Sequence, residues 1–388
     1  MSRPTFAPAA GGRRFPRVLG SCSTGKAGPV LLVVGGIHGN EPAGALAATR
    51  VFERLVRDRL PLRGEAIAVA GNLGALAADR RYLAFDLNRC WTPERVGAIR
   101  RQPPDADAGE EREQRALLEI LDDASRKAGG RLTLLDLHST SSGGPPFILM
   151  SDTLRNRRLG MRLLGTVFLG LEEAVDGTLL EHMTEAGHTA VVVEGGQNQD
   201  PTCVQVHEAV MWTAFEATGA LRAEEIPDYR EHREFLRSRV RGTPAVVELR
   251  YRHHVRPEDR FRMNPGYVGF QPVAEGEVLA RDVRGEVRSP EAGRVVMPLY
   301  QEQGDDGFFL VRDVNRFWIG LSAALRKLAL WRLLFLLPGV SRIAEKPDAV
   351  AVDTSVARYY AVEIFHLFGY RKRVAEPGRL VFTRRRQG

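Results

Sequence analysis

A five-residue aliphatic run, Val30-Leu31-Leu32-Val33-Val34, closes on Gly35-Gly36 and leads into Ile37-His38-Gly39-Asn40-Glu41-Pro42-Ala43-Gly44, and this stretch constrains the chain most. The run reads as a buried strand, the glycine pair as a sharp turn, and the Ala-rich continuation towards Leu60 as a helix. Open α/β sheets place their ligands at the carboxyl ends of strands, which is where His38 and Glu41 fall. An imidazole and a carboxylate at this spacing are part of a His2Glu zinc set, which leaves one coordination position open for water. The same residues also fit a helix N-terminus with Glu near N3 and a His that merely packs.

Further along, the pattern recurs. Glu65 to Asn72 is a short apolar run closed by Gly-Asn, followed by a loop through Arg81, Tyr82 and Asp86-Leu87-Asn88-Arg89. Gln102 to Ala108 is Pro/Asp-rich and expected to be exposed, and Glu110 to Ala128 has helical periodicity. Leu132 to His138 is a third buried-type strand, again ending in a His, with a Ser/Gly/Pro loop from Ser139 to Pro146 behind it. Ala190 to Gln197 is a fourth, with Glu194 as the carboxylate placed at its end. Three strands in one half of the chain thus deliver an ionisable residue at the carboxyl end, which implies an α/β sheet with a shared rim.

His207 to Ala220 reads as helical, and Ala223 to Arg241 as a linker or exposed helix. After Thr243 the texture changes to short strands punctuated by Gly and Pro: 245–249, 266–270, 278–280, 294–297 and 307–311. Such spacing suggests a small all-β domain. The expected division is a catalytic α/β domain over 1–225, a β-rich domain over 243–315 and a partly helical extension over 316–388. That extension opens with an apolar helical stretch, Ile319 to Val340, and ends in Arg384-Arg385-Arg386. Arg326, Lys327 and Arg332 interrupt the stretch and Pro338-Gly339 stops it short of the roughly 20 apolar residues a span needs. It is read as a buried or partner-facing helix, with weak interfacial membrane contact as the alternative.

The 388 residues carry 55 basic and 48 acidic side chains, a formal charge of +7. The excess is Arg spread along the whole chain rather than clustered, which argues against nucleic acid as a partner. Cys22, Cys90 and Cys203 are odd in number and widely spaced, which fits a reducing compartment rather than a disulfide framework. The lead from Ser2 to Arg17 reads as an extended arm or first strand, and no apolar h-region follows its basic residues, so a cytoplasmic location is expected.

As chemistry, His38, Glu41 and His138 supply three ligands for one Zn2+ per chain from two neighbouring strand ends. Glu194, on a third strand end, has the residue type of a general base that takes a proton from the activated water and passes it to the leaving amine. Asp136 reads either as an acceptor behind a ligating imidazole or as a turn residue. Arg81, Asn88 and Arg89 lie in the loop between ligand-bearing strands. A guanidinium there can hold a substrate carboxylate or, as a catalytic group, stabilise the oxyanion, the role given to Arg89.

Gly36-Ile37-His38-Gly39-Asn40-Glu41, Arg81-Tyr82, Asp86-Leu87-Asn88-Arg89, Asp136-Leu137-His138 and Val193-Glu194 together resemble the succinylglutamate desuccinylase and aspartoacylase family of zinc amidohydrolases, relatives of the zinc carboxypeptidases. The resemblance covers about residues 20 to 210, and the segment after Thr243 looks like those enzymes' smaller C-terminal domain. It implies a zinc carboxypeptidase-like mixed sheet flanked by helices, zinc on His38, Glu41 and His138, substrate contacts from Arg81, Asn88 and Arg89, and Glu194 as base. The implied reaction is hydrolysis of a small anionic N-acyl amino acid, with a homo-oligomer compatible with the pattern. Aspartoacylase-like members carry a Tyr and an Arg shortly before the catalytic Glu, where this chain has Leu180 and Thr184, with His182 and His188 nearby. After Glu194 stands Gly195-Gly196-Gln197 rather than Gly-Pro. A carboxypeptidase-like hydrolase acting on a peptide or modified amino acid, and a non-catalytic zinc-binding protein, are the competing readings.

Overall fold

The computed structural model describes residues 13–163, 165–343, 346–353, 356, 362–376 and 379–384. Residues 2–12 of the expected N-terminal arm and the basic pair Arg385-Arg386 lie outside them.

Four strands form the parallel centre: β2 (Val30–Gly35) lies between β3 (Glu65–Ala70) and β4 (Thr133–Thr140), and β7 (Thr189–Gln197) flanks β4. Strand β1 (Val18–Ser23) closes one edge antiparallel to β3. On the other side the sheet continues through β5 (Phe147–Leu149), β6 (Val167–Leu169) and β8 (Val246–His254). The α/β expectation therefore holds, and the sheet is mixed.

Alternation along the buried centre explains its two cores. Leu31 and Val33 of β2 face one side, where helices 43–57, 154–163 and 201–218 pack. Val30, Leu32 and Val34 face the other, against helices 93–101 and 110–127. All six residues of β2 are buried, because a parallel strand covered on both faces has no side to offer water.

Of the five strands expected after Thr243, all but 266–270 are present, and they do not stand apart. Strand β14 (Asp306–Asp313) joins β8 antiparallel, β13 (Gly293–Val296) pairs with β14, and β10 (Gln271–Val273) completes an eleven-stranded sheet. Beside it β9 (Arg262–Met263), β11 (Val278–Asp282) and β12 (Gly285–Arg288) make a three-stranded sheet. Residues 266–269 are turn, not strand, and place Gly269 N on Gly143 O at 2.8 Å. Pro103 to Ala108 is exposed except at Asp107, which Arg115 and half-buried Gln102 draw inward.

The tail differs most from expectation. The helix ends at Lys327, 3-10 turns cover Leu330–Leu336, and four strands follow: β15 (Val340–Ile343), β16 (Lys346–Asp353), β17 (Tyr370–Glu376) and β18 (Arg379–Arg384), an antiparallel sheet in the order β15-β16-β18-β17. Ala329, in the left-handed region at φ 54°, breaks the helix where the apolar pattern alone would continue it. This unit is fastened to the body at Asp152, which is fully buried among Arg157, Arg326 and Arg371. No helix among the described residues is long and apolar enough to cross a membrane.

Candidate active site

The turn after β2 carries the first two side chains. Helix 43–57 begins at Ala43 with Pro42 as its cap, so Glu41 lies before the helix rather than near its N3 position. Gly36 has φ +76°, which favours glycine. Gly39 packs onto the backbone of the next helix, and a Cβ there would lie 2.0 Å from the carbonyl carbon of Ala75. Gly39→Ala is expected to cost about 1–3 kcal/mol or more and to displace Glu41. Thermal unfolding checks it, and an unshifted midpoint would show the turn to be looser than this contact implies.

His38, Glu41 and His138 converge, their donor atoms all within 4.8 Å of one another. His38 Nδ1 lies 3.0 Å from Glu41 Oε1, and His138 Nδ1 lies 3.0 Å from Glu41 Oε2. Each imidazole has a carboxylate at its other nitrogen: Asp86 Oδ1 is 3.0 Å from His38 Nε2, and Asp136 Oδ2 is 3.0 Å from His138 Nε2. Such outer carboxylates fix the tautomer and ring orientation of metal-ligating histidines. Asp136 thus occupies the position behind an imidazole rather than a turn. The corresponding place of Asp86 is not visible in the sequence, which shows only that it stands two residues before Asn88.

Electrostatics favour a cation here. Glu41, Asp86, Asp136 and Glu194 have side chains that are almost wholly enclosed, and Arg81 and Arg89 are the nearby guanidiniums. Burial alone would push Glu41 up, yet the two imidazoles hold it well below the usual carboxylate range. Burial would likewise push His138 down, but Asp136 and Glu41 outweigh it and raise it well above the ordinary value. The donor set and the surplus of carboxylates both fit a divalent ion such as Zn2+.

Glu194 is the register partner of His138 across β4 and β7 and lines the same cavity. Burial pushes its carboxyl up to about 7, with His138 opposing and Glu41 adding to the rise. Its Oε2 is enclosed and has no hydrogen-bond partner.

Arg81, Asn88 and Arg89 also line the cavity. Arg81 holds Asp86 at 3.0 Å and Glu41 at 3.3 Å, Asn88 Oδ1 accepts from Leu179 N at 2.9 Å, and Arg89 pairs with Asp306 at 3.0 Å. Leu180 lines the cavity, whereas Thr184, one turn further along its helix, bonds Asn156 and does not. His182 packs on Trp91, and His188 bonds Ser125 Oγ and Leu132 N, so neither joins the site. More of the wall comes from a distant segment, β14 and the connection before it: Met297, Leu299, Asp306 and Phe309. Gln301 accepts from Asn40 and Gln303 from Arg81 N, so the β13–β14 connection covers the turn that carries His38. No local signal in the sequence ties residues 297–309 to a turn some 260 positions earlier.

Residues 27–210, which contain His38, Glu41, His138 and Glu194, match the model of the succinylglutamate desuccinylase/aspartoacylase catalytic domain. They are similar to that family's catalytic domain. A probable aspartoacylase of Parasynechococcus marenigrum is 32% identical over 167 residues, 42% of this chain and 49% of that protein. A succinylglutamate desuccinylase of Burkholderia pseudomallei is 32% identical over 159 residues, 40% of this chain and 42% of the relative. The chain spans about half the length of the curated relatives it matches, or less. The fold reaches further than the sequence match. The crystal structure of a succinylglutamate desuccinylase/aspartoacylase from Rhodobacter sphaeroides aligns with a TM-score of 0.55 at 18% identity, over 76% of this chain and 87% of that one. The product-bound ectoine utilization protein EutE (DoeB) from Ruegeria pomeroyi aligns at 0.54 with 20% identity, over 74% and 86%.

Proposed function

We propose that the chain is a zinc-dependent amidohydrolase that cleaves the amide of a small N-acyl amino acid to a carboxylic acid and an amino acid. The observation that carries it is the pair of imidazole Nδ1 atoms, each 3.0 Å from one oxygen of Glu41 and each with a carboxylate at its opposite nitrogen. His38, Glu41 and His138 would hold the ion, three protein ligands being the number that leaves a position free for chemistry. Zn2+ supplies Lewis-acid polarisation of the amide carbonyl and brings the pKa of water towards neutrality.

The chain's own residues do the rest. Glu194 takes the proton from the attacking water and delivers it to the departing nitrogen, so that the C–N bond breaks to a free amine. Arg89, part-exposed at the rim and anchored by Asp306, faces the developing oxyanion or the substrate carboxylate, and Arg81 and Asn88 form the adjoining polar wall. The cavity also has an apolar wall contributed by Leu149, Leu171, Val175, Leu180 and Phe309. The substrate's α-carboxylate provides the anionic end, and the apolar wall suits an uncharged part of the molecule. A cytoplasmic location and a homo-oligomer belong to the same proposal.

Hydrolysis of a panel of N-acyl amino acids and C-terminal peptides tests the reading, and turnover of peptides alone would replace it with a carboxypeptidase-like activity. Metal analysis is independent of substrate: wild type is expected to hold about one zinc per chain, and His138→Ala to retain little of it. Equal zinc in the two proteins would exclude the proposed centre.

A further inference from the structure

Helix 316–327 is amphipathic in the inverted sense. Successive residues on a helix turn by about 100°, which puts Ile319, Ser322 and Arg326 on one side and Phe317, Leu321, Ala324 and Leu328 on the other. The inward side is where the polar groups are: Ser322 donates to Leu367 O, and Arg326 is buried against Asp152. The apolar stripe faces out, with Phe317 66% and Leu328 69% exposed. The turns that follow add Leu333 and Leu336, also exposed, and Trp318 lies beside the stripe. Five of the eleven large apolar side chains exposed among the described residues fall within these twenty positions. Apolar groups concentrated in this way mark an interaction surface rather than ordinary scatter.

Charge indicates what covers it. From Val314 to Ala344 there is no Asp or Glu, while Arg316, Arg326, Lys327, Arg332 and Arg342 are present. Arg326 is consumed by Asp152, but the other four cations are exposed around the apolar stripe. A two-fold contact with a second copy would bring the same basic patch against itself. An acidic interface that also accepts apolar side chains relieves both demands. We propose that the outward face of residues 316–336 docks on an anionic lipid surface, lying in the interface rather than crossing it.

Co-sedimentation of the full chain with phosphatidylcholine vesicles, with and without about 30% phosphatidylglycerol, tests this. Wild type is expected to pellet with the anionic vesicles only, with a blue shift in tryptophan emission from Trp318, since Trp91 and Trp212 are buried and Trp331 packs on the core of the extension. Raising the salt to about 0.5 M should weaken binding at least tenfold. The triple change Phe317→Ser, Leu328→Ser, Leu336→Ser should weaken it at least tenfold, and Arg316→Gln, Lys327→Gln, Arg332→Gln by roughly fivefold per charge, both with unchanged circular dichroism. Failure to bind either vesicle, equal binding to both, or full binding by the triple serine variant would overturn the proposal. A dimer seen by sedimentation velocity in wild type, lost in that variant and unaccompanied by vesicle binding, would assign the face to a second copy instead.

Discussion

Glu194→Gln is expected to lower kcat by about 10²–10⁴-fold on the best N-acyl amino acid substrate, with zinc content and thermal midpoint unchanged. The exchange keeps the shape of a side chain that is 7% exposed and removes only the group that can accept and return a proton. Glu194 is not among the three converging donors, so metal retention separates a lost base from a lost ion. Its Oε2, enclosed and unpartnered, leaves no structural bond for the substitution to break. Steady-state kinetics beside metal analysis decide the matter, and a variant with undiminished turnover would remove Glu194 from the mechanism.

Asp152→Ala should destabilise the chain by about 3–5 kcal/mol, the cost of stranding buried charges. Three guanidiniums meet on this one carboxylate, which has no exposure at all: Arg157 and Arg326 at 2.9 Å and Arg371 at 2.7 Å from Oδ2. Two of them come from the C-terminal extension, so the loss falls on its attachment. Thermal unfolding with limited proteolysis of residues 316–384 reads it out, and a loss below about 1 kcal/mol would mean that the guanidiniums find other partners.

The pH dependence follows from the same cluster. Burial would push Asp152 up, but Arg157, Arg326 and Arg371 hold it well below its ordinary 3.8. Its contribution is complete above 3.8 and is lost as pH falls through the lower folded-state value. Burial and Arg371 push His366 down, yet its bonds to Glu173 and Glu248 leave it raised above 6.5. That contribution is full below 6.5 and fades as pH rises through the higher folded-state value. Attachment of the extension should therefore be firmest in the mildly acid range between them.

The wall of the active site lies directly behind this anchor. Asp152 N donates to Glu172 Oε1 at 3.0 Å, and Ser151 and Glu172 both line the cavity. A loosened extension thus reaches the substrate side of the molecule through two adjacent residues.

By itself the sequence determined the parallel centre of the sheet and what its strand ends deliver. Strands buried on both faces show as unbroken aliphatic runs, and the residue where each run stops lies at the rim by construction, so His38, Glu41, His138 and Glu194 could be read in one dimension. Tertiary structure decided what depends on meetings between distant segments. Asp86 behind His38, the cavity wall from residues 297–309 and the Asp152 anchor each join positions 48 to 261 residues apart, and no local period records such pairings. The tail shows the same limit: an apolar run from Ile319 to Val340 reads as one helix, but Ala329 turns the chain, and the four strands after it pair with one another.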